Sequence, residues 1–408
     1  MGINICDHMF LNPGTLSPWI DQFAVELAAQ RYTALTIEGY TASARHFAAW
    51  VDSQAISIGA IDDDVVRRFA GHRCKCPGGR RWQSISPQYG RRAKRFFVFL
   101  RRIGVASPPQ EVSSPYPLLD DYTRWLRLHR GLSELTITRH LRDLHKLLPQ
   151  LGMVTRDYDA RLVRDVVRVW RERTGPANLR TITSTLRCYL RFLAGAGLCR
   201  PNLDHAVPPV VQWRLSSLPR YLCTEEVERV IASCDQLTRG RLRDRAILLL
   251  LWRLGLRAGD VAGLKLKDLD WVSGMLRLSG KARRQVRLPL PQDAGDALLA
   301  YIEHERPCVG REAIFLTMVA PYQSFSRSYV SGIVARALKR AGISNPPSTG
   351  ASLLRHSAAT AMLRSGATLE SVGTMLRHRS LDMTAHYAKV DISMLEQIAQ
   401  SWPGEIIC

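Results

Sequence analysis

No stretch of this 408-residue sequence suits a bilayer: the longest strongly apolar run, Ala246 to Trp252, is far shorter than a membrane-spanning helix. The opening residues lack the basic segment and apolar core of a secretory leader, so a cytoplasmic protein without membrane contact is expected. A disulfide framework is missing too. The nine cysteines, at positions 6, 74, 76, 188, 199, 223, 234, 308 and 408, are odd in number and scattered, which predicts reduced thiols. His72, Cys74 and Cys76 lie close together, but a zinc site wants a second ligand pair at a related spacing and none follows, so no metal is expected. Acidic residues are scarce. Against 36 Asp and Glu stand 57 Lys and Arg, a net charge of +21 spread along the chain rather than gathered in a tail. Such a balance favours a phosphate-rich partner, with nucleic acid the natural candidate, over a merely soluble basic protein.

The length exceeds one ordinary domain, and two or three folded units are expected. Ser17-Pro18 reads as a cap followed by a helix start over Trp19 to Gln30, and Ser86-Pro87 repeats the device before Gln88 to Ile103. Between them Ile37, Tyr40, Ala44, Phe47 and Trp50 recur at steps of three and four, the stripe of an amphipathic helix, and Asp62 to Phe69 forms a short fourth one. A related pattern returns about 100 residues later. Leu135-Thr136-Ile137 echoes Leu35-Thr36-Ile37, and the run from Tyr189-Leu190 to Gly197 resembles that from Phe96-Phe97 to Gly104. Two related helical modules follow from this reading, ending near Pro109 and Pro209. Beyond Pro208-Pro209 the pattern changes. Asp244 to Leu254 is a nearly all-apolar helix closed by Gly255, and Met275 to Ser279 and Gln285 to Leu290 read as two strands joined by a basic turn. Helices then dominate, the last from Ile392 to Ser401.

The third unit holds the residues with chemical promise. Gly255-Leu256-Arg257-Ala258-Gly259-Asp260 places an arginine just past the buried helix, with a carboxylate three residues on. Alone, this is an ordinary helix terminus. Lys281 in the basic turn is equally unremarkable alone. Leu354-Arg355-His356-Ser357 comes next, then Leu376-Arg377-His378-Arg379-Ser380 and Thr384-Ala385-His386-Tyr387. As an ordered set these motifs resemble the tyrosine recombinases of the phage integrase family, whose pattern runs G-L-R-x-x-[E/D], a hairpin lysine, H-x-x-R-H, L-x-H-x-S and a late tyrosine. The intervals are those of compact Xer-like members: 24 residues from Arg257 to Lys281, 23 from Arg355 to His378 and nine from His378 to Tyr387. The likeness covers about Leu222 to Val390, and the module from about Pro117 to Pro209 resembles the family's core-binding domain.

The resemblance implies a site-specific recombinase that cuts and rejoins DNA through a 3′-phosphotyrosine on Tyr387, without metal, cofactor or ATP. Arg257 and Arg355 would hold the phosphate with planar forks, and His378 would donate to the same oxygens. Asp260 would be the acid supporting Arg257, and Lys281 would protonate the departing 5′ oxygen. Arg283, Arg284 and Arg287, beside the lysine, are candidates to hold DNA phosphates. One position departs from the pattern: where the family usually has histidine three residues before the second arginine, this chain has Ser352. Serine can hydrogen-bond a phosphate but cannot shuttle a proton near neutral pH, which implies a slower yet working enzyme. His356 reads as a buried structural partner, and His386 stays outside the site because adjacent helical residues point in different directions.

The architecture expected is mainly α with an α+β catalytic domain: a first helical module over 1–110, a core-binding helical DNA-binding domain over 111–212 and a catalytic domain with a small sheet over 213–408. The resemblance further implies a clamp on double-stranded DNA and a homo- or hetero-tetramer with related recombinases, the segment from Ile392 being exchanged between neighbours. A mobile element is the expected source. The rival readings are a catalytically weakened DNA-binding accessory subunit and a type IB topoisomerase; Tyr387 with both arginines speaks against the first, the tandem modules against the second.

Overall fold

A computed structural model describes residues 14–73, 86–108, 116–211, 218–235, 239–279, 285–390 and Leu395. The chain divides into two compact units, residues 110–216 and residues 1–109 with 217–408. Apolar side chains nevertheless gather into one core before residue 109, one between 116 and 211, and a larger one with a small satellite beyond 218.

The first of these belongs to four helices: α1 (Ser17–Ala29), α2 (Ala34–Ser53), α3 (Asp63–Gly71) and α4 (Pro87–Arg102). Phe23, Phe47, Phe69, Phe96 and Phe97 fill its centre. The periodic stripe on α2 faces inward as expected, with Ala44, Phe47, Trp50 and Val51 buried. Ser86 caps α4, its Oγ accepting from the Tyr89 N–H at 3.2 Å. Ser17 does not cap α1. A 3-10 turn over Gly14–Leu16 runs straight into that helix, so the chain arrives already helical and Ser17 becomes its first residue.

Residues 110–216 contain α5 (Leu118–Leu128), α6 (Glu134–Leu151), α7 (Ala160–Arg173) and α8 (Pro176–Gly195). Some of their details repeat those of α1 to α4, although Gly175 before α8 supplies no side-chain cap where Ser86 caps α4. At the start of the second helix Thr33 Oγ1 lies 2.9 Å from Thr36 Oγ1, and Ser133 Oγ lies 3.0 Å from Thr136 Oγ1. The third helix is capped by aspartate in both cases: Asp62 accepts from the Val65 N–H at 2.9 Å and Asp159 from the Leu162 N–H at 2.7 Å. Each fourth helix closes on a bond five residues back, Val105 N–H to the Leu100 carbonyl and Leu198 N–H to the Leu193 carbonyl. Matching local chemistry at matching places explains why the short sequence echoes were visible.

Beyond residue 218 come α9 (Thr224–Ala232), α10 (Arg241–Arg253), α11 (Ala258–Gly263), the strands β1 (Leu269–Asp270), β2 (Met275–Ser279) and β3 (Gln285–Pro289), then α12 (Gln292–His304), α13 (Arg327–Arg340), α14 (Ala351–Arg364) and α15 (Leu369–Met375), with 3-10 turns over Leu381–Met383 and Ala385–Val390. The strands form an antiparallel sheet in the order β1-β2-β3, with Leu276 opposite Leu288 and Ser279 opposite Gln285. The expected hairpin is therefore present; its basic turn, with Lys281, Arg283 and Arg284, falls outside the described residues, as do Cys74, Cys76 and Ile392. The apolar run of α10 is buried from Ala246 to Trp252, packed against α12 and α14. Each such leucine contributes roughly 1.5–3 kcal/mol by leaving water. Glu305, just past α12, supports the α10 N-terminus: its carboxylate accepts from the backbone N–H groups of Gly240 (2.7 Å) and Arg243 (2.9 Å), satisfying donors that a helix start leaves open. Among the described residues no helix is long and apolar enough to cross a membrane, and no cluster of three metal-ligating side chains occurs.

Candidate active site

The site grows from the end of α10. After Leu254 the backbone turns at Gly255 with φ of 55°, a left-handed conformation costly for any residue with a Cβ. A Cβ there would also lie 2.4 Å from Leu376 Cδ2. Leu256 is buried, and Arg257 emerges as the exposed residue preceding α11. Its position is held locally and from afar: the Arg257 N–H donates to Asp260 Oδ2 at 3.0 Å, and its Nη2 donates to the Arg377 carbonyl at 3.2 Å.

Arg355 lies on α14 and is 7% exposed. It donates from Nη1 to the Gly255 carbonyl and from Nη2 to the Leu376 carbonyl at 2.5 Å, tying the turn after α10 to the end of α15. Two of five guanidinium N–H groups are thereby used. Arg377, which sequence reasoning passed over, has φ of 54° and pairs its guanidinium with Asp260. Asp260 thus supports Arg257 through the backbone and through Arg377, rather than by gripping the Arg257 side chain. Nothing in the motif marked Arg377, since its left-handed backbone and its distant acid are both products of the fold.

His378 is set by the close of α15. Its N–H donates to the Gly373 carbonyl at 2.9 Å, and Nδ1 lies 2.8 Å from Thr384 Oγ1. Gly373 permits that approach, because a Cβ there would be 2.8 Å from the same hydroxyl. Thr384 is buried and its carbonyl accepts from the Tyr387 N–H at 2.8 Å. Tyr387, 2% exposed, packs with Ala359, Leu363, Val372 and Leu376. Its ring lies parallel to that of His378, centroids 6.4 Å apart, and its hydroxyl lies 2.6 Å from His356 Nδ1.

The electrostatics are those of a cationic site. Burial, and then Arg257, bring the Arg355 guanidinium down to about 10. Burial followed by the charges of Arg355 and Arg257 push His378 down to about 4. Arg257, though exposed overall, is lowered mainly by partial loss of water around its guanidinium, with Asp260 opposing. Tyr387 is raised by burial, which Arg355 only partly offsets. Each basic group would carry its proton more readily beside a phosphate.

Ser352 is exposed in the first turn of α14, one turn before Arg355. Arg287, on β3, is turned toward the sheet's own acid, donating to Asp270 Oδ2 at 3.1 Å and to Ser273 Oγ at 3.2 Å. The fold therefore brings Arg257, Arg355, His378, Tyr387 and Asp260 together, while Arg287 stays exposed on β3 beside Asp270.

Comparison with known proteins gives this arrangement its family. The profile described as the phage integrase family matches residues 220–394. A Sinorhizobium fredii protein that bears the provisional name integrase/recombinase y4rA is 33% identical over 403 residues, covering 96% of this chain and 96% of the relative. The chain belongs to the tyrosine recombinases of the phage integrase family. A tyrosine recombinase XerD of Listeria innocua is 30% identical to this recombinase over 69% of its chain and 96% of the relative, so nearly a third of the present chain has no counterpart there. In fold, the recombinase is similar to a lambda integrase tetramer bound to a Holliday junction, with a TM-score of 0.54, 17% identity, and coverage of 80% of this chain and 92% of that one.

Proposed function

We propose that this recombinase cleaves one strand of a DNA duplex by attack of Tyr387 Oη on a phosphodiester, forming a 3′-phosphotyrosine and a free 5′ hydroxyl, and then reverses the step on a new 5′ end. The observation that carries the reading is the grouping of Arg257, Arg355 and His378 around the buried Tyr387. A phosphodiester gains charge on its non-bridging oxygens as the fifth oxygen adds. Two guanidinium forks and an imidazole set in advance offset that charge without a metal ion. The covalent phosphotyrosine conserves the bond energy, so rejoining requires no ATP. In this reading Lys281 supplies the proton to the departing 5′ oxygen, and Arg283, Arg284 and Arg287 grip neighbouring phosphates.

Double-stranded DNA is the proposed partner, and exchange between two duplexes calls for four active sites, hence a homo- or hetero-tetramer with related recombinases. The lambda integrase tetramer of similar fold supports that assembly. The proposed domains are a first helical module over 1–110, a core-binding module over 111–212 and the catalytic domain over 213–408, and the proposed setting is a mobile element. The test uses nicked duplexes spanning the DNA that flanks the coding region, from which a short 5′ fragment can diffuse away. The protein is expected to become covalently attached to the DNA and Tyr387→Phe is not; an undiminished adduct in the variant would move the nucleophile elsewhere.

A further inference from the structure

Attack by Tyr387 requires its phenolic proton to leave. A free phenol loses that proton only near pH 10, and burial raises Tyr387 above that value. A phenolate is therefore not standing ready, and a base must receive the proton as the oxygen meets phosphorus. Among the described residues, one side chain is hydrogen-bonded to that hydroxyl: His356, whose Nδ1 lies 2.6 Å from Oη. His378 has its Nδ1 on Thr384 and its ring face-parallel to Tyr387, and His386 meets the Tyr387 ring edge-on with centroids 5.9 Å apart. Ser352 is no base.

We propose that His356 is the general base for Tyr387, accepting the phenolic proton at Nδ1 during strand cleavage and returning it during rejoining. The proposal rests on Tyr387 being the nucleophile. In the forward step the Oη–P bond forms, the P–O5′ bond breaks and the Oη proton passes to Nδ1, leaving His356 as imidazolium. The 5′ oxygen takes its proton separately, from Lys281 in the reading above. His356 is suited to the task because it begins neutral. Burial, then His386 and Arg355, hold its proton affinity down, so with Nε2–H present Nδ1 offers a lone pair to the phenol. The groups bearing on it are Arg355 beside it on α14, His378 after α15, and Tyr387 and His386 on the last 3-10 turn; none is a carboxylate. Its cationic form is thus disfavoured until a DNA phosphate adds negative charge, which couples proton transfer to the presence of substrate. The close placement of His356 on Tyr387 comes from α14 packing against the 385–390 turn, elements separated by twenty residues of chain.

The test isolates the base from the leaving group. Duplexes spanning the DNA that flanks the coding region are prepared with a 3′-p-nitrophenyl phosphate at the junction, so that departing p-nitrophenolate needs no proton. The full chain, His356→Asn and His356→Gln are compared for p-nitrophenolate release and adduct formation across pH 5 to 9, with DNA binding and thermal unfolding measured in parallel. Loss of about a hundredfold or more in release is expected for both variants, with DNA affinity retained and the acid limb of the pH–rate profile removed. Added imidazole should restore part of the rate to His356→Ala. Wild-type rates with an unchanged pH profile in either folded variant would overturn the proposal. So would a slow variant that keeps the acid limb and gains nothing from imidazole, which would make His356 a packing residue. Failure of the underlying reading is distinguishable: Tyr387→Phe would then still form the adduct.

Discussion

The guanidinium of Arg355 donates to the carbonyl of Gly255, one hundred residues away in the chain. The bond joins the helix that bears Arg355, one of the two arginines proposed to bind phosphate, to the turn that leads into the other, Arg257. Gly255 makes it possible by holding φ of 55° and by leaving room for Leu376. Gly255→Ala is expected to cost about 1–2 kcal/mol from the left-handed backbone alone, with a further loss from the overlap with Leu376. Thermal unfolding should show the lower stability, and adduct formation should fall more steeply than stability because both arginines shift. Normal cleavage in this variant would show that the bond between Arg355 and Gly255 does not set the site.

His378 offers a pH-dependent test. Without DNA its affinity for a proton is depressed to about 4 by burial and by the two arginines. A phosphate placed among these groups favours the imidazolium and raises that value. DNA binding near pH 6 should therefore take up a proton, and affinity should weaken as pH rises through the higher, DNA-bound value. Calorimetry in buffers of different ionisation enthalpy reads the uptake directly. His378→Gln is expected to remove much of it. Binding without proton uptake in the wild type would mean that the phosphate does not meet His378.

Ser352 stands exposed one turn before Arg355, on a face open enough for a larger side chain. Ser352→His is expected to keep or increase the cleavage rate, since an imidazole there adds a proton carrier without displacing a buried group. A collapse of activity would show that the surroundings of position 352 are built for serine.

The first helical module shares its four-helix plan and the aspartate cap of its third helix with the second. If it grips DNA, a chain shortened to begin at Glu111 should still form the covalent adduct, because the proposed catalytic residues all lie beyond Leu256. Its affinity should be weaker and should fall less steeply with salt, as fewer phosphates are neutralised. Equal salt slopes with a smaller assembly in sedimentation would instead assign the module to contacts between protomers.

The architecture was largely legible because it is written in local terms. The cap Ser86, the inward stripe from Ala44 to Trp50, and the two strands on either side of the basic turn depend on neighbours within a few residues. The repeat was visible for the same reason. Ser17 was misread as a cap because an isolated Ser-Pro pair does not reveal that a 3-10 turn precedes it. The residue types around Tyr387 were equally legible, since Arg257, Arg355, His378 and Tyr387 sit at recurring intervals in an ordered set of motifs.

The sequence by itself thus determined the helices, the hairpin and which residue types could serve a phosphate. Tertiary structure alone decided that Asp260 pairs with Arg377, that Arg355 spans Gly255 and Leu376, that Arg287 turns to Asp270, and that His356, rather than a residue near Ser352, meets the Tyr387 hydroxyl. Each of these contacts depends on the angle at which separate helices pack. Sequence periodicity specifies which face of a helix is buried, but the residue that face meets is chosen by the side-chain volumes of the whole core.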